Sequence, residues 1–471
     1  MVMSEAKKSL PRWTKVSFIL LLILLCGAFI DYLYYRDRIY AGIFIADLNL
    51  GGKKAAEAKK LLTEKLAEMD EQTVTFVWDE QTQVKTFREL GITPDLDSTI
   101  KAALNTGRQR LHLFRYPERI QLARKPVQLL PHFIIDQTLF AKNLQETFTA
   151  VQEEPVNASF KLSADRKSVT IEPDKPGRTV DVSATYQSLV EVLQTTLRSP
   201  KVNLSVQAVE AEVTAADLES LQVTEEVASF STTISGSANR LHNIRKAAAA
   251  IDQLLVLPGT VFSFNETVGA TTAATGYRAA PIIQNGKIVD GIGGGICQVS
   301  STLYNAVLLA DLELVERRNH GVRVNYLPPG LDATVAYGSI DLKFRNNRSH
   351  ALWLRTFIDG NKLTTTIYGT KIPGQEVKVY TTNVEIIPAG DKITKTAELP
   401  KGKRELVTIG QPGYRATVWR SVYYYGQEKK KEKISQDTYK AIPNEYFVGT
   451  KELPVSGEAG VKEEQSGQQT E

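Results

Sequence analysis

The segment from Gly291 to Ala310, with Gly293-Gly294-Gly295 followed at once by Ile296, Cys297 and an apolar run, constrains this chain more than any other. Glycines are poor helix formers and good turn formers, so the run marks a sharp entry. The residues after it have the length and apolarity of a buried helix. Cys297 therefore falls in the first turn of that helix. There, unpaired N–H groups and the positive end of the dipole lower a thiol pKa and can hold an oxyanion. The one other cysteine, Cys26, lies in an apolar N-terminal stretch, which leaves Cys297 without an intramolecular disulfide partner in an oxidising compartment. Read blandly, a cysteine at a glycine–helix junction is a small packed residue; the absent partner and the glycine run favour use.

Lys7, Lys8, Arg12 and Lys15 precede an uncharged run from Val16 to Ile30, and Asp31 leads into an aromatic stretch ending at Tyr35. With that aromatic belt, residues 16–35 approach the roughly 20 residues a membrane span needs. The positive flank puts residues 1–15 in the cytoplasm and the bulk of the chain outside. A single uncleaved anchor is the expectation; a cleaved signal peptide is the rival, although no small-x-small site follows cleanly. The remainder, with a net charge of +4, 23% charged and 42% hydrophobic residues over a 471-residue chain, is ordinary globular protein of several domains. No basic patch suggests nucleic acid, and Lys429–Lys431 reads as a solvated hairpin tip.

The chain is expected to be α+β and multidomain. Gly91 to Asp95 leads into an amphipathic helix over 96–104, and Gly177 to Asp181 leads into another over 182–193. Each is preceded by a further helix, 53–69 and 138–151, and by alternating strands. Two similar α+β modules follow, 38–125 and 126–212, with a polar, acidic linker at 213–227. The next unit, 228–369, has helices bunched early (240–255 and the Cys297 helix) and then strands at 313–318, 322–327, 333–335, 340–344, 351–357 and 362–368. Residues 374–451 alternate as a β-rich module, and 452–471 have the composition of a disordered tail.

A thiol nucleophile needs a base within hydrogen-bond reach and a third group to hold that base in the right tautomer. Of five histidines, His320 is best placed, at the end of a strand that follows the Cys297 helix. Asp332 lies beyond it, and Asn319 competes as the orienting group; good turn chemistry around Asp332 is its bland explanation. Gly293, Gly294, Gly295 and Gln298 are the expected oxyanion and substrate-binding positions, with Asn319 and Tyr337 beside them. The order Cys at a helix start, His at a strand end, then an acid also occurs in transglutaminase-like and other papain-like hydrolases. One cysteine with scattered histidines lacks metal-ligand spacing, so neither metal nor other cofactor is expected.

Residues 228–369 resemble the VanW family. The resemblance is carried by Phe230–Thr233, Asn239-Arg240, Asn243-Ile244, Leu257–Asn265, Gly293–Asn305, Arg317–His320, Tyr326–Val335 and Asp341–Asn346. Residues 38–212 resemble the peptidoglycan-binding repeats that precede such a domain, and 374–451 resemble a G5 domain. The resemblance implies a cell-wall protein whose partner is peptidoglycan. It further implies an L,D-transpeptidase-type acyl transfer through a Cys297 thioester; His320 is then the expected base, with Asp332 or Asn319 orienting it. The other classes are a non-catalytic wall-binding scaffold, accessory to glycopeptide resistance, and a cysteine peptidase of stem peptides. The sequence names no protein partner.

Overall fold

The computed structural model describes residues 12–110, 115–198, 200–284 and 287–452. The expectations for most of the cytoplasmic segment and nearly all of the tail fall outside those residues. The Arg12–Tyr35 helix contains a 23-residue stretch, Trp13–Tyr35, long and apolar enough to cross a membrane. The chain divides into two compact units, one reaching Val156 and including Lys175–Glu212, the other holding Asn157–Asp174 and the residues from Val213 on.

The first unit holds two locally similar arrangements, and they interleave. In one copy Asp95 caps the helix Leu96–Asn105 through the Ser98 amide; in the other Asp181 caps Val182–Leu193 through the Ala184 amide. Losing such a cap costs about 1 kcal/mol. The hydroxyl of Thr99 then accepts from the His132 amide, and that of Thr185 from the Ser205 amide, at 2.8 and 3.0 Å. Each copy also has one parallel strand pair, Ile43–Ile45 with Val127–Leu129 and Thr73–Trp78 with Lys201–Asn203. The boundary expected at 125 is therefore not where the copies part. Val74, Phe76 and Phe87 pack with Phe140, Leu144 and Leu189, whereas Ile39, Ile43 and Leu62 pack with Ile100 and Ala103. Strand pairing at long sequence separation decides this, and local periodicity carries no trace of it.

The second unit is built on an antiparallel sheet of four strands, ordered Glu225–Thr233, Lys362–Gly369, Leu352–Asp359, Leu254–Val256. The helices Ala238–Ile251 and Ile296–Leu309 belong to the same core, where Ile244, Val299, Leu303, Phe344 and Leu354 are fully buried. The hairpin Ser159–Leu162/Val169–Glu172 belongs here too, with Phe160 against Trp353. Residues expected as a plain linker begin with the helix Ala215–Ser220, held by a Thr214/Asp217 capping box.

Two expected strands are absent. Residues 322–327 and 333–335 are irregular chain, and their alternation reflects burial without a sheet: Val322, Val324 and Ala333 are buried. Backbone groups of such a loop must still be paired. The Cys297 helix supplies the partners, since Ser301 Oγ accepts from the Ala333 amide, Ser300 donates to the Ala333 carbonyl and Asn305 donates to the Leu331 carbonyl. Polar residues inside an otherwise apolar helix are thereby explained.

The β-rich residues beyond 374 form two three-stranded sheets, ordered Gln375–Ile387, Gly413–Tyr424, Gln427–Tyr439 and Asp391–Pro400, Asn444–Lys451, Arg404–Thr408. The first of them is continuous with the core of the second unit. Val379 and Ile434 pack on that core, and Arg420 donates to the Leu308 and Leu312 carbonyls at the C-terminal end of the Cys297 helix, at 3.4 and 2.8 Å.

Candidate active site

Gly295 precedes the helix with φ +107°, a conformation that strains any residue with a Cβ. A Cβ on Gly294 would lie 2.6 Å from the Pro281 carbonyl oxygen, so the chain there runs against the neighbouring strand. Asn243, fully buried, ties the loop down by donating to the Gly294 and Arg278 carbonyls and accepting from the Arg278 amide. Cys297 is half-buried in the first turn, its Sγ 3.7 Å from Thr334 Oγ1 and 3.6 Å from the Val335 carbonyl.

His320 is buried and bound twice by one carboxylate oxygen. Its Nδ1 lies 2.6 Å and its backbone N 2.7 Å from Asp332 Oδ2. That leaves Nε2 unclaimed by Asp332, and His320 lines the same cavity as Cys297. Asp332 is fully buried; its Oδ1 accepts from the Tyr439 hydroxyl at 2.5 Å and lies 3.6 Å from the Arg317 guanidinium. Arg317 in turn donates to the Asp332 and Gly330 carbonyls and forms a two-pronged pair with Asp437, both contacts at 2.8 Å.

The electrostatics follow from these contacts. Burial by itself would push the Cys297 thiol up, but the nearby His320 outweighs it and holds the thiol below its ordinary value. Burial would likewise lower His320; Asp332 and Cys297 overturn that and raise the ring to about 10. Burial would raise Asp332, and His320, Arg317 and Tyr439 hold it low. Both shifts run in the direction of a thiolate–imidazolium pair. Iodoacetamide labelling of the Cys26→Ser protein should therefore stay fast below the free-thiol range of about 8.5. The rate falls only as acid protonates the thiolate. By linkage, the stability that His320 gains is complete below its unfolded pKa and is lost as pH rises through about 10. A labelling inflection at or above the free-thiol value would contradict the ion pair.

Cys297, His320, Gly293–Gly295, Gln298 and Tyr337 line a cavity of about 630 Å³; Asp332 stands behind His320. The structure corrects three expectations. Gln298 does not present donors to that cavity: its side chain is spent on Arg240, Thr232 and the Thr233 carbonyl, and its amide on the Gly295 carbonyl. The Gly293 amide is used by the Arg278 carbonyl. Asn319 bonds the His320 and Thr438 carbonyls, so Asp332 is the group that orients the ring. Among the described residues the Gly295 and Cys297 amides have no backbone acceptor. Tyr337, 56% exposed, stands at the rim. Sequence reading missed Arg317, Tyr439 and Asp437, although Arg317 sits three residues before His320.

On an α+β scaffold, Cys297 at a glycine-turned helix start thus shares a cavity with a histidine that a buried aspartate holds. The family model described as "VanW like protein" matches residues 239–368, "Putative peptidoglycan binding domain" matches 84–200, and "G5 domain" matches 378–451. YoaR of Bacillus subtilis (strain 168), described as uncharacterized, is 34% identical over 247 residues, 51% of this chain and 77% of that protein. The vancomycin B-type resistance protein VanW of Enterococcus faecalis (strain ATCC 700802 / V583) is 29% identical over 168 residues, 35% of this chain and 61% of that protein. A solved IgA1 protease G5 domain is 21% identical, covering 17% of this chain and 94% of its own, with a TM-score of 0.15. The chain belongs to the VanW family. It is a cell-wall-associated, peptidoglycan-binding member, and its wall-binding modules make it an extracytoplasmic protein.

Proposed function

We propose that this protein is a membrane-anchored peptidoglycan acyltransferase of the L,D-transpeptidase type, working through a thioester on Cys297. The observation that supports the reading is one cavity lined by both Cys297 and His320, with the His320 ring held from behind by Asp332. The Cys297 thiolate attacks a stem-peptide carbonyl, and the oxyanion faces the Gly295 and Cys297 amides. The imidazolium of His320 gives its Nε2 proton to the departing amine as the C–N bond breaks. An acceptor amine then attacks the thioester, His320 takes its proton, and the thiolate returns. One bond is exchanged for another, so no nucleotide is consumed. The Arg12–Tyr35 helix holds the chain at the membrane, and the modules of residues 38–212 raise the local concentration of a polymeric substrate.

The test is incubation of the protein with disaccharide-tetrapeptide and mass analysis of the products, wild type beside Cys297→Ala. Crosslinked dimers and a thioester adduct are expected from the wild type, with dimer yield at least about a thousandfold lower in the variant. Equal product from both discards Cys297 as nucleophile. Shortened stems without dimers assign hydrolysis. A wild type that pellets with insoluble wall and forms no product assigns a binding protein.

A further inference from the structure

A second cavity, about 730 Å³, adjoins the one that holds Cys297. The two share Arg240, Pro281, Ile282, Gln298, Val324 and Tyr326, so they are lobes of one groove. The second lobe adds Arg323, Asn325 and Gln411, and no Asp or Glu lines either lobe among the described residues.

Its two arginines, like Arg348 elsewhere in the same unit, have no carboxylate partner among the described residues. Arg317, Arg355 and Arg420 are each paired with a carboxylate. Arg240 instead donates to neutral oxygens, the Ser235 carbonyl at 2.9 Å and Gln298 Oε1 at 2.8 Å. Arg323 donates to the Tyr414 hydroxyl at 3.0 Å and lies over that ring, and its Nε is buried with no partner among the described residues. Guanidinium groups drawn partly out of water without an anion are costly, and their planar fork matches a carboxylate. Arg240 also lies close enough to Cys297 to feel its charge.

We infer that the second lobe is a carboxylate-reading subsite, taking the residue beyond the scissile carbonyl when that residue ends in a free carboxylate. This rests on the acyl-transfer reading of Cys297. With the carbonyl at Sγ, the departing amine and its carboxylate share one carbon, which brings the carboxylate toward Arg240 and Arg323. An acceptor amine on a carbon that also bears a carboxylate presents the same pair of groups. It enters by the path its predecessor left. The substrate is therefore a peptide cut at its last bond, and the acceptor is an amino-acid centre of the same chemistry.

The experiment measures binding and needs no turnover. Full-length Cys297→Ala protein is titrated calorimetrically with disaccharide-tetrapeptide and with its C-terminal amide, and the same is done with Arg323→Gln and Arg323→Lys added. The acid form should bind about tenfold more tightly than the amide. Arg323→Gln should remove that preference while leaving amide binding unchanged, and Arg323→Lys should restore part of it. Equal affinity for both forms overturns the subsite. So does a fall in both forms alike with Arg323→Gln, or no binding of either form by protein whose melting temperature is unchanged. A preference that survives while wild-type protein makes no thioester keeps the subsite and removes the transfer chemistry.

Discussion

Asp437→Ala is expected to destabilise the second unit by about 3–5 kcal/mol, the range for removing one partner of a buried pair. Side-chain exposure is 4% at Arg317 and 6% at Asp437, and the pair has two 2.8 Å contacts. Truncation leaves the guanidinium buried over the Tyr304 ring, with only Asp332, at 3.6 Å, as a carboxylate neighbour. The charge cannot be shed: burial would lower the Arg317 pKa, but Tyr304, Asp437 and Asp332 push it further up. Arg317 would then be drawn toward Asp332, the carboxylate that holds His320. Urea unfolding followed by near-ultraviolet circular dichroism checks the loss. Asp437→Asn, which keeps an acceptor, should lose less. An exposed pair such as Glu376–Lys378 serves as control, its removal costing about 1 kcal/mol or less. A loss of that small size at Asp437 would show that the C-terminal sheet does not support the site.

Asp332→Asn is expected to cut acyl transfer by roughly three to four orders of magnitude, as amide replacement of an orienting aspartate does in triads of this kind. The carboxylate is surrounded by donors, namely the His320 amide and Nδ1, the Tyr439 hydroxyl and the Arg317 guanidinium. An amide can match at most part of that set, and its NH₂ would turn Nδ1 into an acceptor. Nε2 would then carry the proton on a neutral ring, and the thiolate would lose its imidazolium partner. The labelling rate of Cys297 against pH separates this from simple unfolding. Its inflection should move up toward the free-thiol range in folded Asp332→Asn protein. An unmoved inflection with activity lost would mean that Asp332 acts only through packing.

Much of the local architecture was legible in the residues. Asp95 and Asp181 cap their helices as their spacing implied, and the glycine run opens the Cys297 helix. Those signals act within one turn or one loop, where a side chain reaches its own backbone. Residues 322–327 and 333–335 read as strands yet are not, because alternation reports burial and says nothing of what pairs the backbone. Here side chains of the Cys297 helix do the pairing.

The sequence alone therefore determined that a thiol sits at the start of a buried helix, that His320 follows it with Asp332 or Asn319 as candidate companions, and that the chain carries peptidoglycan-binding and G5 modules. Only the tertiary structure decided that Asp332, and not Asn319, holds the ring, and that the side chain of Gln298 is taken up by Arg240, Thr232 and Thr233. It alone placed Tyr439 and Asp437 beneath the site, from a strand more than a hundred residues further along. The physical reason is one of range: caps and turns are made by neighbours. A buried carboxylate, by contrast, is satisfied by whichever donors the packed core brings to it.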